Sequence, residues 1–376
     1  MESIEIKSNL EKIIKIALLI IIIISPIAVL EKNAIAVTPA VGTISGSVVV
    51  SQPAPVPSPV STPTPSPAPT PTPIPVTGIF YVAKNGNDNN PGTEAKPWLT
   101  IKKAANTLVA GETVYVRGGI YKEQVTVKNS GSAGKYITFS SYPGEIVILD
   151  GTGLNMEDWS GLFWLKRLNF IKVNGFNLKN GRNGVDVNGG SNIILSNNYI
   201  ENPYHTGIKV GWDYSSNIII DGNSVKRNIK PEWDEMISIS NGHNVEVKNN
   251  HVLENALGEG IDMKDATSNS TIHHNIVERT SSAGVYIDGY LAGVSNIEIY
   301  QNTVHDTNTG FSTGSERGGL AQNLYFHNNT AYNVDTGYKI SYWAESGYKV
   351  SYKNIVFSNN TVYNAWVDYS GIPLKS

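Results

Sequence analysis

The sequence predicts an all-β fold, a parallel β-solenoid, and three observations lead to that prediction. An asparagine followed six positions later by a second asparagine recurs seven times, at intervals of about 25 to 31 residues. Residues around each pair alternate between apolar and polar, as in half-buried strands. Equivalent strands recur only after a full unit, which indicates a solenoid rather than a hairpin sandwich. The pairs are Asn192/Asn198, Asn217/Asn223, Asn244/Asn250, Asn269/Asn275, Asn296/Asn302, Asn323/Asn329 and Asn354/Asn360.

Each repeat unit predicts three short strands. One strand opens at a glycine, or at Met236 in one unit, and has apolar residues one and three positions later, such as Ile208 and Val210. A second strand follows the first asparagine, with inward positions such as Ile218, and a third apolar position lies two residues after the second asparagine. Seven or more coils of three strands would then stack about 4.8 Å apart around a filled interior.

The recurring asparagines are expected at the corners between strands. Asparagine tolerates a left-handed backbone, and its amide can hydrogen-bond to the equivalent amide one coil away. We therefore assign the asparagine pairs a structural role.

Both ends of a parallel stack expose its core and its backbone. At the N-terminal end Thr100 can cap a helix whose apolar stripe runs from Ile101 to Leu108, and we expect this helix to cap the first coil. No comparable amphipathic helix follows Asn360. The far end is therefore expected to continue in further chain, to be capped by a partner, or to be closed by residues 366–374.

The composition limits the classes of partner. The chain has 376 residues, a formal net charge of -3 and a pI near 6.2. It lacks the basic balance that nucleic-acid binding requires, so no nucleic-acid partner is expected. It has no cysteine, which excludes disulfides and thiolate metal sites. Burial and strand hydrogen bonds must then stabilise the rod, which we expect to be a monomer.

The chain divides into three regions. Residues 1–36 contain lysines, an apolar run and a final Ala-Ile-Ala, which resembles an export signal. Because the run is short for a spanning helix and contains Pro26, a cleaved signal peptide is favoured over a membrane anchor. Residues 37–77 are rich in Pro, Thr and Ser, typical of a semi-rigid linker. Residues 78–376 form the solenoid domain. We expect a secreted or cell-surface protein, with tethering to a membrane or cell wall through the N-terminal region.

Two runs carry a family resemblance. Residues 80–101, FYVAKNGNDNNPGTEAKPWLTI, and residues 111–121, GETVYVRGGIY, resemble the start of secreted right-handed parallel β-helix proteins of the pectate-lyase-like superfamily, especially the family-9 polysaccharide lyases. The resemblance covers residues 80 to about 360 and implies calcium-assisted β-elimination on uronate polysaccharides. The glutamate five places before Lys264 is also similar to family-6 alginate and chondroitin lyases. Those lyases have an arginine on the next coil, where this chain has Asp288.

Aligning the coils by their opening residues places ionisable side chains on three consecutive coils. Glu235 and Glu259 stack one above the other, about 4.8 Å apart, and two calcium–oxygen bonds span such a gap. Asp262 and Asp234 are further candidate ligands. All-oxygen ligation favours calcium over zinc. The alternative is that Lys264 or Arg317 neutralises these carboxylates.

For β-elimination, Lys264 is the candidate base. Neighbouring carboxylates would hold it protonated, whereas a bound divalent cation would cancel their charge and let its pKa fall. Arg317 can hold a substrate carboxylate through two parallel hydrogen bonds, and Asp288 lies directly above Lys264 on the next coil. The alternative is that Lys264 only pairs with Asp288 and Asp262 on the surface of the rod.

Aromatic and acidic residues near this patch are candidates for substrate binding. Sugars stack on exposed aromatic rings, although such rings also pack under loops. The candidates are Trp212, Trp233, Tyr286, Tyr290 and Glu316.

The sequence thus predicts an exported, carbohydrate-active protein that binds and cleaves an acidic polysaccharide with calcium as cofactor. A glycoside hydrolase is an alternative, because Asp262, Glu259, Asp288 and Glu316 supply enough carboxyl groups for an acid/base pair. A non-catalytic, glycan-binding rod on the cell surface is the other alternative.

Overall fold

The structure, a computed structural model, describes residues 78–227 and 234–371. Their strands form a right-handed parallel β-helix of about 9 turns, which confirms the predicted fold class. The predicted signal and linker regions, residues 1–77, lie outside the described residues. Within the described ranges no helix is both long enough and apolar enough to span a bilayer.

One helix and 26 strands make up the described part of the chain. The helix is α1 (Ile101–Thr107). The strands are β1 (Ile79–Val82), β2 (Thr113–Val116), β3 (Gly119–Tyr121), β4 (Val125–Thr126), β5 (Ile137–Ser141), β6 (Val147–Asp150), β7 (Gly161–Asn174), β8 (Asn177–Lys179), β9 (Asn183–Ser196), β10 (Tyr199–Glu201), β11 (Ile208–Val210), β12 (Ser215–Asp221), β13 (Ser224–Arg227), β14 (Ile237–Ser240), β15 (Gly242–Lys248), β16 (His251–Asn255), β17 (Ile261–Lys264), β18 (Ser268–His273), β19 (Ile276–Glu278), β20 (Ala283–Asp288), β21 (Val294–Tyr300), β22 (Thr303–Gly314), β23 (Ala321–His327), β24 (Thr330–Ile340), β25 (Tyr352–Ser358) and β26 (Thr361–Ser370).

The parallel ladders form three sheets along the rod, as the three-strand coil predicts. The first sheet runs from β1 through β12 and β15 to β25, and the second from β3 through β13 and β16 to β26. The third sheet runs from β4 through β11, β14, β17 and β20. Long strands such as β9 turn a corner and contribute to two sheets, because β9 pairs with both β11 and β12.

The core lies inside the coils and consists of the inward positions that the alternation predicts. Ile208, Ile237 and Ile261 are neighbours in the third sheet and are fully buried. Burying such a side chain contributes about 1.5–3 kcal/mol relative to leaving it exposed. The polar residues between them, Lys209, Ser238 and Asp262, point away from the core but are themselves less than 10% exposed.

The two members of each asparagine pair differ in backbone conformation and in burial, although both form amide contacts between coils. The first member takes the left-handed backbone, with φ of 54° at Asn217 and 56° at Asn244. The second member is buried and forms a ladder in which Asn223 Nδ2 donates to Asn250 Oδ1 at 3.0 Å. The same bond links each successive coil from Asn198 to Asn360. The predicted corner role and the predicted amide bonding are both confirmed.

At the N-terminal end, α1 has the cap and the buried face that the sequence predicts. Thr100 Oγ1 accepts a hydrogen bond from the backbone of Lys103 at 3.0 Å, and Glu123 accepts from the backbone amides of Ile101 and Lys102. The apolar stripe, which includes Leu108, is buried, and the helix packs against β1 and β4.

At the other end, residues 366–370 continue strand β26 rather than folding across the last coil. Trp366 is 88% exposed, so it does not cover the end of the described rod. This part of the predicted closure is therefore wrong, because the strand keeps its parallel pairing with β24 to Ser370. The last residues of the predicted closing segment, 372–374, lie outside the described residues.

Candidate functional site

The outward columns of the third sheet are in the register that the sequence predicts. Asp262 pairs with Ser238 on one side and with Tyr286 on the other. Lys264 lies directly below Asp288. Side chains that are about 25 residues apart in the chain therefore meet on one face of the rod.

A cleft of about 750 Å³ lies over this face. All but two of the candidate residues named from the sequence line it. Arg317 is not among the lining residues, and Trp233 lies outside the described residues. The cleft is lined by Trp159, Thr206, Lys209, Trp212, Asp234, Glu235, Ser238, Ser240, Asn241, Glu259, Asp262, Lys264, Asp265, Ala266, Tyr286, Asp288, Tyr290, Ala292, Glu316 and Glu345.

Lys264 is bound by two carboxylates at the centre of the cleft. Its Nζ donates to Glu235 Oε1 and lies 3.0 Å from Asp262 Oδ2. Burial alone would lower the pKa of Lys264, but the charges of Asp262 and Glu235 outweigh it and hold this pKa well above its ordinary value. The direction of this pKa shift agrees with the expectation that nearby carboxylates keep Lys264 protonated.

Three other carboxyl groups of the cleft, Glu259, Asp262 and Asp288, have raised pKa values. Burial, reinforced by the charge of Glu235, raises the pKa of Glu259 to about 7. Burial raises the pKa of Asp288 to about 6, although its Oδ1 accepts a hydrogen bond from the Tyr290 backbone at 2.8 Å. Burial also raises the pKa of Asp262 well above its ordinary value. Near neutral pH the cleft therefore contains proton donors as well as carboxylates.

The four predicted calcium ligands do not converge on one point. Asp234 Oδ2 lies 3.0 Å from His205 Nδ1, and Glu259 Oε1 accepts a hydrogen bond from Ser282. The ammonium of Lys264 contacts Glu235 and Asp262. In the described ranges no three His, Cys, Asp or Glu side chains are grouped as metal ligands.

The predicted set of Glu235, Glu259, Asp262 and Asp234 therefore does not fit a single ion as these side chains are placed. The physical reason is that each carboxylate other than Asp262 already has a protein donor, and that Asp262 shares the ammonium with Glu235. The alternative stated above, neutralisation by Lys264, describes the observed contacts.

Arg317 lies at the rim and is committed to protein contacts. Its Nε donates to Glu345 Oε2 at 2.8 Å, and its guanidinium lies 4.7 Å from the centre of the Tyr290 ring. Tyr286, by contrast, is inside the cleft and donates its hydroxyl hydrogen to Glu316 at 2.9 Å. Arg317 therefore shares its charge with Glu345 through Nε, and its predicted role towards a substrate carboxylate stays a prediction.

Lys209 is a site residue that the sequence analysis did not select. It lies in the same outward column as Asp262, is 8% exposed, and has its Nζ 4.2 Å from the ring centres of both Trp159 and Trp212. Burial lowers the pKa of Lys209, while the charge of Asp186 and the two indole faces favour the ammonium. Lys209 could have been selected from the sequence, because it occupies the same outward column as Asp262. Trp159 could not, because it precedes the regular repeats.

The two indole rings around Lys209 belong to residues with left-handed backbone conformation, and one of the rings stacks on His205, which contacts two carboxylates. Trp159 and Trp212 have φ of 63° and 64°, a region that bulky residues rarely adopt. His205 stacks on Trp159 at 3.8 Å and bridges Asp158 and Asp234, at 3.1 and 3.0 Å. The two carboxylates raise the pKa of His205 against the opposing effect of burial. Strained backbone beside a cleft is typical of a functional site.

Comparisons with known proteins agree with this architecture. Residues 80–233 match the family described as "Pel9A-like, right handed beta helix region". The chain is 30% identical to the uncharacterized protein YwoF of Bacillus subtilis (strain 168) over 326 residues, which is 75% of this chain and 69% of YwoF. It is 28% identical to pectate lyase PEL9 of Emericella nidulans over 153 residues, 37% of each protein.

Among solved structures, pectate lyase Pel9A shares the fold with a TM-score of 0.58 at 18% identity, over 81% of this chain and 82% of Pel9A. At this identity the likeness concerns the fold alone. The match to YwoF covers more than two thirds of both proteins, and the family match covers the first coils. The chain therefore belongs to the Pel9A-like family of right-handed parallel β-helix proteins, which are carbohydrate-active.

Proposed function

We propose that this protein binds an acidic, uronate-containing polysaccharide in the cleft and cleaves it by β-elimination. The observation that carries the proposal is the pair of cleft lysines in contrasting surroundings, Lys264 among carboxylates and Lys209 between two indole rings. The names of relatives, two of them pectate lyases, support the substrate class.

In the proposed reaction, the ammonium of Lys264 neutralises the uronate carboxylate, so that the proton on C5 becomes more acidic. Lys209 in its amine form takes that proton. The electron pair of the C5–H bond forms the C4=C5 double bond, the C4–O bond breaks, and the departing oxygen takes a proton from solvent. Differential stabilisation of the charge that develops at the carboxylate is the source of rate enhancement.

This proposal gives two catalytic roles to residues other than those predicted from the sequence. Lys264 was the predicted base, but its contacts with Glu235 and Asp262 keep it charged, so we place the base at Lys209. Arg317 was predicted to hold the substrate carboxylate, and we give that role to Lys264 because Arg317 pairs with Glu345. Trp212 and Tyr290 keep their predicted roles as surfaces for the sugar rings.

The experiment is an activity screen of the purified protein on pectate, alginate and chondroitin, each with and without chelator. β-Elimination leaves an unsaturated sugar that absorbs in the ultraviolet, and we expect that absorbance to rise on at least one substrate. Calcium assistance, which the family resemblance implies, stays a prediction that the chelator arm tests. Absence of new reducing ends on every substrate would contradict the proposal and favour a non-catalytic rod.

A second candidate function is hydrolysis of a glycosidic bond. The observation in its favour is that burial keeps Glu259 and Asp288 protonated to higher pH, with pKa values of about 7 and about 6, as a general acid requires. Hydrolysis gives new reducing ends without ultraviolet absorbance, so the same screen separates the two reactions.

We also propose that the protein acts outside the cytoplasm, because residues 1–36 resemble an export signal and the substrate is a polysaccharide. The N-terminal sequence of the protein recovered from culture medium or from membranes tests this directly. A start near residue 37 indicates cleavage, whereas an intact N-terminus in the membrane fraction indicates an anchor.

A further inference from the structure

We infer that the ammonium of Lys264 takes the place of a divalent cation in this cleft, and that removing it converts the surrounding carboxylates into a cation site. The inference concerns what neutralises the carboxylates at the centre of the cleft. It goes beyond the proposed function, which requires only that Lys264 be positively charged.

The placement of the side chains is the first support. Lys264 Nζ contacts Glu235 on one coil and Asp262 on the next, so one ammonium bridges two stacked coils. An ion bound between Glu235 and Asp262 would have to occupy this same place. The Lys264 side chain is 26% exposed, and an ammonium has three hydrogens, so one donor remains for a ligand in the cleft.

An unsatisfied buried oxygen is the second, independent support. Asp262 is 1% exposed, and its Oδ1 has no hydrogen-bond partner among the described residues. Glu259, also buried, adds a third carboxyl group near the same ammonium. A single positive charge therefore serves more carboxyl groups than it can neutralise, and burying such groups without compensation is unfavourable.

The chemistry of this donor set explains why loss of the ammonium should create a site. Without Lys264 the carboxylates of Glu235 and Asp262 repel each other and lose their shared donor. Carboxylate oxygens are the ligands that calcium prefers, and calcium accepts flexible geometry. The vacated place would then attract the ion that the lysine excludes.

The inference does not depend on the proposed reaction or on its substrate, because its test measures cation binding and not cleavage. A failed activity screen would therefore leave it standing. Conversely, an active enzyme could still contradict it by binding calcium in the cleft with Lys264 present.

The test is calcium titration of the full-length protein by isothermal calorimetry, with thermal unfolding in the presence and absence of calcium. We expect no saturable binding to the wild type at about 1 mM calcium, and a dissociation constant at least about tenfold lower for Lys264→Ala. Calcium should also raise the melting temperature of Lys264→Ala and leave that of the wild type unchanged. The double variant Lys264→Ala/Glu235→Gln should lose the new binding.

Lys264→Arg and Lys339→Ala are the matched controls. The first keeps a positive charge in the cleft, and the second removes a lysine from the third sheet outside the cleft lining, three coils beyond Asp262. Neither should bind calcium more tightly than the wild type. If Lys264→Ala does not fold without calcium, the titration is replaced by refolding of this variant in the presence of calcium. Lys264→Met, which is also neutral, can be titrated in its place. Two results would overturn the inference. One is calcium binding by the wild type that Glu235→Gln abolishes, and the other is no gain in calcium affinity in either Lys264→Ala or Lys264→Met.

Discussion

Two lysines in one cleft differ because of the side chains around them. Lys264 faces Glu235 and Asp262, whereas Lys209 lies between indole rings. The outward columns predicted from the sequence placed both lysines on the same face of the rod. Which lysine would meet carboxylates depends on side-chain direction across two coils, and Trp159 comes from a segment without the repeat. Neither could be predicted from spacing alone.

The first prediction concerns Lys209. Because general-base catalysis contributes about 10²–10⁴-fold, Lys209→Ala should lower kcat by about that factor with little change in KM. The pH dependence of kcat should lose its rising limb, which a purely structural role would not cause. The measurement is the steady-state kinetics of the wild type and of Lys209→Ala on the substrate found in the screen.

The matched control is Lys166→Ala. Lys166 also lies over an indole, with Nζ 3.7 Å from the Trp164 ring centre, but it does not line the cleft. Its kcat should stay unchanged. Equal losses in the two variants would show that the lysine–indole contact acts only through stability.

The second prediction concerns Trp212, which is 62% exposed at the cleft. Loss of one aromatic surface for a sugar ring should cost about 1.4 kcal/mol in binding, so Trp212→Ala should raise KM about tenfold with kcat nearly unchanged. Trp343, 59% exposed and outside the cleft lining, is the control, and Trp343→Ala should leave KM unchanged. A kcat effect as large as the KM effect would refute the binding role.

At the scale of the strand and its corner, the sequence was most informative. The asparagine spacing predicted both the left-handed corners and the amide contacts between coils. It did not distinguish the exposed amide contacts of the first members from the buried ladder of the second members, because both members are the same residue type. The structure separates them by burial: Asn244 is exposed, and Asn250 is 1% exposed.

The third prediction concerns the buried ladder. Asn250 Oδ1 accepts from both the backbone and the side chain of Asn223, and Asn250 Nδ2 donates to Asn275. Asn250→Ala would leave these buried groups unpaired, so the free energy of unfolding should fall by about 3 kcal/mol. Urea unfolding followed by circular dichroism measures the loss.

Asn244→Gly is the control for the ladder prediction. Glycine adopts the left-handed backbone of Asn244 without strain, and only exposed amide contacts are lost. The loss should stay below about 1 kcal/mol. If both variants lose equal stability, the buried amides contribute no more than the exposed ones.

For the whole molecule, the stacking of coils concentrates carboxyl groups from distant parts of the chain. The sequence predicted the rod, its handedness through the family resemblance, and the columns that meet at the cleft. It did not predict that Asp234 would bind His205, because His205 lies two coils from Glu259 and outside the aligned columns. The predicted calcium ligand set therefore stays a prediction, although its four side chains are not grouped around one point in the described part of the chain.

The fourth prediction concerns the stability of the whole protein as a function of pH. Burial raises the pKa of Glu259 from 4.5 to about 7, so between these values the folded protein binds more protons than the unfolded chain. Stability must then fall as pH rises through this window, by roughly 3 kcal/mol for this one group. Asp288 and His205 also have raised pKa values in the folded state and act in the same direction.

Thermal unfolding from pH 5 to pH 8 should therefore show a falling melting temperature. Glu259→Gln should flatten this profile, because the group that titrates is removed, whereas Glu157→Gln at an exposed position should leave it unchanged. A melting temperature that rises over this range in the wild type would contradict the raised pKa values.

The buried amide ladder has a direction. From Asn198 to Asn329 each Nδ2 donates to the asparagine of the following coil, and from Asn223 to Asn360 each Oδ1 accepts from the asparagine of the preceding coil. Duplication of one complete unit would insert one Nδ2 donor together with one Oδ1 acceptor, so every ladder amide would keep a hydrogen-bond partner. Duplication of part of a unit would leave ladder amides without a partner. The rod can thus change its length in evolution by whole units, which offers a route by which relatives acquire longer or shorter substrate-binding faces.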